Sequence, residues 1–64
     1  GGNQVKIGDL VVSKAYQNYS EIVPAKLVVQ RTRALKGHTG EYIVTADEPE
    51  TWKPAKSFFV VSPA

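Results

Sequence analysis

Thr51-Trp52-Lys53-Pro54-Ala55-Lys56-Ser57-Phe58-Phe59-Val60-Val61 is the stretch on which the fold turns. Pro54 lacks an amide hydrogen and holds φ at about −65°, so it interrupts a ladder and begins a turn. The aromatic and β-branched run from Phe58 to Val61 has strand chemistry. The segment therefore reads as a turn opened by Pro54 that feeds a last short strand, with the chain's single Trp at its entrance.

Upstream, Tyr42-Ile43-Val44-Thr45 is a strand by the same reasoning, being one aromatic and three β-branched residues. Lys36-Gly37-His38-Thr39-Gly40 before it and Asp47-Glu48-Pro49-Glu50 after it are turns. Val5, Ile7, Leu10, Val11 and Val12 form a first β-rich segment, interrupted by a turn or bulge at Gly8-Asp9. Residues 16–21 read as a polar loop carrying Tyr16 and Tyr19.

Residues 24–36 admit two readings. As a strand they send Leu27 and Val29 to one side and Lys26, Val28, Gln30 and Thr32 to the other. As a helix they align Ala25, Val28, Val29, Thr32 and Leu35, with Pro24 at the first position and Gly37 as the C-cap. Adjacent Val28-Val29 with nearby Thr32 weighs against the helix, where β-branched residues lose rotamer freedom. The strand version predicts an all-β domain of four to five short antiparallel strands, closed so that no sheet edge invites aggregation. The helical version gives a β-α-β-β sandwich.

The chain has 64 residues and no cysteine. One domain, spanning residues 3–62, is expected, with Gly1-Gly2 set aside as the remnant of an expression tag. No disulfide or thiolate zinc site is available to staple it, so packing alone must hold the core. Seventeen residues are Leu, Ile, Val or Phe, above the roughly 20% level below which disorder is expected. Apolar runs of four or five residues fall far short of the roughly 20 needed to span a membrane. With no signal-peptide pattern and no cysteine, the expected location is cytoplasmic.

Two segments carry a resemblance. Val5-Lys6-Ile7-Gly8-Asp9-Leu10-Val11-Val12 resembles the first strand of many SH3-like barrels, KOW-type domains among them. Trp52-Lys53-Pro54-Ala55-Lys56-Ser57-Phe58-Phe59-Val60 resembles their ending, where Pro starts a single 3₁₀ turn and an aromatic leads the last strand. Together these cover roughly 20 residues, and the resemblance implies a small SH3-like barrel with a 3₁₀ turn near Pro54. It does not extend to Pro-rich-peptide binding. Trp52 lies two residues before the Pro instead of well upstream, and Ala15-Tyr16-Gln17-Asn18-Tyr19 follows the first strand instead of opening the domain. The KOW glycine pattern is also absent after Asp9.

The net charge at pH 7 is only +2, but it is unevenly spread. Lys26, Arg31, Arg33 and Lys36 crowd one segment, while Glu41, Asp47, Glu48 and Glu50 crowd the next. On a strand, Arg31 and Arg33 leave from the same face, and Lys26, Lys36 and His38 extend that surface. Phosphates reward such clusters by counterion release. Tyr16, Tyr19 and Trp52 offer rings on which unpaired bases stack. The expected role is thus a binding module for nucleic acid, single strands included, through Lys26, Arg31, Arg33, Lys36, Tyr16, Tyr19 and Trp52. Against it stands cross-strand pairing of Arg31 and Arg33 with Glu41 or Asp47, and Trp52 sealing the barrel mouth. If Trp52 meets a ligand, its neighbours Lys53 and Lys56 favour an anionic one.

The alternative is a protein partner, as for an adaptor or a phage-encoded host-factor binder, held in an aromatic groove of Tyr16, Tyr19, Trp52, Pro54 and Phe59. Phe58 and Phe59 alternate between faces, so one of them is open to solvent, a partner or a covering loop. The protein would be a monomer or a weak homodimer. Catalysis is not expected: His38 sits between glycines at a turn tip, and Glu48 and Glu50 flank Pro49 in a turn. Neither a cofactor nor a metal is implied.

Overall fold

The computed structural model describes residues 4–19 and 22–64, the side chains of Gln17 and Tyr19 excepted. Five strands follow one another: β1 (Leu10–Ser13), β2 (Lys26–Thr32), β3 (Tyr42–Thr45), β4 (Lys53–Pro54) and β5 (Phe58–Ser62). The two helical pieces are 3₁₀ segments, Lys14–Tyr19 and Ala55–Ser57. The domain is all-β and wholly antiparallel, with the sheet order β4-β3-β2-β1-β5. Pro54 ends β4 at φ −65° and ψ 127°, and the second 3₁₀ turn starts at the next residue. The last strand then runs one residue past the apolar run, to Ser62.

The helical template over 24–36 is not adopted, since Lys26–Thr32 is a strand. Its backbone is laddered to β1 on one side and β3 on the other. That satisfies amide and carbonyl groups without asking Val28, Val29 and Thr32 to crowd a helical turn. Residues 5–7 lie outside the ladder, which shortens the first β-rich segment to β1. Gly8 breaks it with φ +96°, a conformation that L side chains rarely adopt. The Asp9 N–H bonds the Lys6 carbonyl at 3.1 Å across this turn, and the Gly8 N–H bonds the Val28 carbonyl at 2.9 Å. The polar loop after β1 is 3₁₀ in form as far as Tyr19, with a kink at Tyr16 (φ −112°, ψ 22°); its Ser20 and Glu21, like residues 1–3, lie outside the described residues.

The core is Val5, Val11, Val28, Ile43, Ala55 and Phe58, with Val60 packed against it. Strict alternation along β2 fails at one place. The β2–β3 register shifts between Val28 and Gln30, so Val28 faces Thr45 whereas Arg31 faces Ile43. Paired residues of an antiparallel ladder share a face. Val28 and Arg31 therefore lie on the core side, and Gln30 and Thr32 turn with Val44 and Tyr42 to the other. The expected grouping of Val28 with Gln30 and Thr32 is corrected by one extra residue, a β-bulge. A second shift between Leu10 and Val11 pairs Leu10 with Ser62 and Val11 with Val60, leaving Val61 without a partner in the β1–β5 ladder.

Among the described residues no ladder joins β4 to β5. These two outer strands are connected through the second 3₁₀ turn. The edge strand β5, Phe58-Phe59-Val60-Val61-Ser62, carries no charge. No helix among the described residues is long and apolar enough to cross a membrane.

Candidate anion-binding cleft

Among the described residues, four cations are matched to carboxylates. Arg31 Nη2 lies 2.5 Å from Glu41 Oε2, and Arg33 Nε reaches the same oxygen at 3.3 Å. With its amide oxygen toward them, Gln4 accepts from both guanidinium groups. The β2–β3 hairpin imposes this meeting, because Arg31 and Arg33 come off the end of β2 where Glu41 leads into β3. Lys26 Nζ pairs with Asp47 Oδ2 at 2.5 Å. The Lys26 hydrogen bond, reinforced by one from Thr45, draws the Asp47 carboxyl down to about 2, while Asp47 raises the Lys26 ammonium above its ordinary value. Lys53 Nζ donates to Thr45 Oγ1 at 3.0 Å and Glu48 Oε1 at 2.8 Å, and sits 5.8 Å from the centre of the Phe58 ring.

Among the described residues Lys6, Lys14, Lys36 and Lys56 have no carboxylate partner. Three of them, Lys6, Lys14 and Lys56, line one cleft of about 1060 Å³. That size is at the top of the roughly 300–1,000 Å³ range of small-molecule sites. Its lining includes the approach to β3 from Thr39 to Tyr42, the end of β4 at Pro54, and Phe58 to Val60 of β5. Each lysine is delivered by a constrained element. Lys6 precedes the Gly8 turn, Lys14 opens the 3₁₀ segment after β1, and Lys56 lies inside the 3₁₀ turn after Pro54. The Ala55 N–H donates to the Glu41 carbonyl at 2.9 Å and so fastens that second turn to the approach to β3.

Two carboxylates also border the cleft, and both are occupied. Glu41 is held by the arginines. Asp9 is buried, accepting from the Ala64 N–H at 2.7 Å and the Lys6 N–H at 2.8 Å. These two backbone bonds, the Ala64 one foremost, hold its carboxyl below the usual carboxylate range. Asp9 keeps its negative charge, since backbone N–H groups do not neutralise it, so among the described residues three unpaired lysines stand against one unpaired carboxylate and the balance of the cleft is cationic. Its ring surface comes from Tyr42 and Phe59, both half-buried. The Tyr42 hydroxyl is 3.2 Å from His38 Nδ1, with the two rings 5.0 Å apart at 58°, so His38 braces Tyr42.

The residues singled out from sequence are thus distributed unevenly. Pro54 and Phe59 meet in the cleft. Lys26, Arg31 and Arg33 are engaged in ion pairs, and Lys36 is bare but lies outside the cleft lining. Tyr16 is 52% exposed and Trp52 36% exposed, and neither lines the cleft. The Tyr19 side chain lies outside the described residues. Lys6, Lys14 and Tyr42 were not marked by the sequence, although Lys56 was, through its closeness to Trp52. The signal that points to them is subtraction: they remain once neighbouring strands have matched their charges. Comparison with protein-family models, curated proteins and solved structures finds no match to this chain.

Proposed function

We propose that this chain is an SH3-like barrel that acts by binding nucleic acid in the Lys6–Lys14–Lys56 cleft, without catalysis. The fold part of the reading is supported by the strand order β4-β3-β2-β1-β5 with a 3₁₀ turn leading into the last strand. The functional part is carried by one observation: three of the four lysines lacking a carboxylate partner line the same concavity. An anionic polymer releases counterions on meeting such a set and gains affinity with each phosphate engaged. Neighbouring rings and an apolar floor fit a nucleic acid better than a simple polyanion. A cytoplasmic location accords with this role.

Binding of a labelled oligonucleotide to Lys14→Glu/Lys56→Glu tests the proposal, with Lys36→Glu as the control. The double reversal should weaken binding by more than about tenfold, and the control much less. Equal losses in the two proteins would remove the cleft from the reading.

A second reading, a protein partner, is favoured by a separate surface. Leu27 pairs with Leu10 across β1–β2, and Leu27, Ile7 and Val61 remain exposed. Exposed apolar side chains that gather into one contiguous patch are interface material. Leu27→Glu, leaving oligonucleotide binding intact while abolishing a protein contact, would separate the two surfaces.

A further inference from the structure

The cleft differs from a merely basic patch in how its parts are layered. Lys6, Lys14 and Lys56 are exposed, whereas Tyr42, Pro54 and Phe59 are half-buried and Phe58 and Ala55 are buried. Charge is at the rim and ring surface below it. A duplex presents the reverse arrangement, with phosphates on a convex exterior and base faces stacked inside, and it cannot deliver a base face to a concave floor. An unpaired strand can do so, because its bases swing free of the backbone. Both rings belong to residues that line the cleft, Tyr42 at the start of β3 and Phe59 in β5.

Resting on the nucleic-acid reading above, we infer that the cleft is selective for single strands, which it holds by stacking bases on Tyr42 and Phe59 while Lys6, Lys14 and Lys56 take the phosphates. His38 is a positioning residue here, since its ring and Nδ1 fix the Tyr42 side chain. Recognition is sequence-tolerant, because every base has a π-face on which a ring can stack.

The test needs no variant for its main arm. Anisotropy titrations would compare a labelled single strand of about twelve nucleotides, an abasic strand of the same length, and the matching duplex, at roughly 50–200 mM salt. The single strand should bind at least about tenfold more tightly than the abasic strand, the worth of one stacked base. Its affinity should fall with a log–log salt slope of about −2, the value for three phosphates on a single strand. Tyr42→Leu should lose roughly five- to tenfold in affinity with that slope unchanged. Lys14→Ala should reduce the slope by about 0.7. Unfolding curves of both variants would show that they are folded. Equal binding of intact and abasic strands, or of single strand and duplex, would overturn the stacking inference and leave the nucleic-acid reading standing. No binding of any of the three would remove that reading itself. Displacement of the strand by an acidic peptide at lower concentration than by unlabelled oligonucleotide would make a protein the occupant.

Discussion

Asp9 accepts a hydrogen bond from the backbone N–H of Ala64 at 2.7 Å, joining positions 55 apart in the chain. The same carboxylate caps the Lys6 N–H, so one buried side chain ties the Gly8 turn to the segment that follows β5. Gly8 takes part sterically, since a Cβ placed there would stand 3.0 Å from the Ala64 Cβ.

Acid should loosen this junction. Asp9 and Asp47 both have folded-state values below the ordinary 3.8, with Asp47 at about 2. A depressed carboxylate contributes stability that is complete above its unfolded value and is lost as pH falls through its folded one. Urea midpoints should therefore be flat from about pH 5 to 8 and decline below about pH 4. Asp9→Asn should lower the neutral midpoint and flatten the acid limb. An unchanged acid limb in that variant would show that Asp9 is not part of the dependence.

Glu41→Gln should separate stability from binding. Glu41 receives both Arg31 and Arg33, and the side chains of Arg31 and Glu41 are 24% and 17% exposed. Losing a partly buried partner should cost about 1–2 kcal/mol, between the surface and buried limits. The same change removes the one negative charge that the two guanidinium groups offset, at a residue lining the cleft, so oligonucleotide affinity should rise. Denaturant unfolding and anisotropy on one preparation would show the opposed shifts; a parallel fall in both would contradict them.

The core has little slack. Ile43 is fully buried and packs in the main cluster. Ile43→Val should cost about 0.5–1.5 kcal/mol and Ile43→Ala about 2–5 kcal/mol. For a domain this small, with a margin of about 3–5 kcal/mol, the alanine variant should be largely unfolded at 25 °C by circular dichroism. A cooperative native-like melt would show that the core tolerates the cavity.

Gly8→Ala and Gly37→Ala should differ although both glycines have positive φ, +96° and +82°. Gly37 has open space around it, whereas Gly8 faces Ala64. The Gly37 change should cost about 1 kcal/mol from backbone conformation alone, and the Gly8 change more, through displacement of the Asp9–Ala64 junction. Equal thermal shifts would mean that the close approach relaxes freely.

Strands β3 and β5 were legible because their β-branched and aromatic runs are short, uninterrupted and bounded by turn residues. The turn after Pro54 followed from that residue's fixed φ, and its 3₁₀ form from the resemblance to SH3-like endings. β2 was legible as one of two alternatives, but its faces were not: period-two reading has no marker for an extra residue such as Val29, whose effect exists only against β3. The site was less visible still. Lys26, Arg31 and Arg33 form the densest basic run, yet the hairpin folds that run onto the acids that follow it. Lys6, Lys14 and Lys56 are scattered in sequence and meet only through the Gly8 turn, the end of β1 and the Pro54 turn.

The uncharged edge of β5 has a consequence for how the protein behaves in concentrated solution. Among the described residues Phe58 to Ser62 is laddered to β1 alone, and the unladdered edge of such a strand can pair with another copy's strand. Lys14 and Lys56 border the same concavity, and like charges there repel a second molecule approaching by that edge. The lysines that welcome a polyanion are thus also gatekeepers of colloidal stability. Replacing them to abolish binding should bring precipitation nearer, and a bound strand should hold it off.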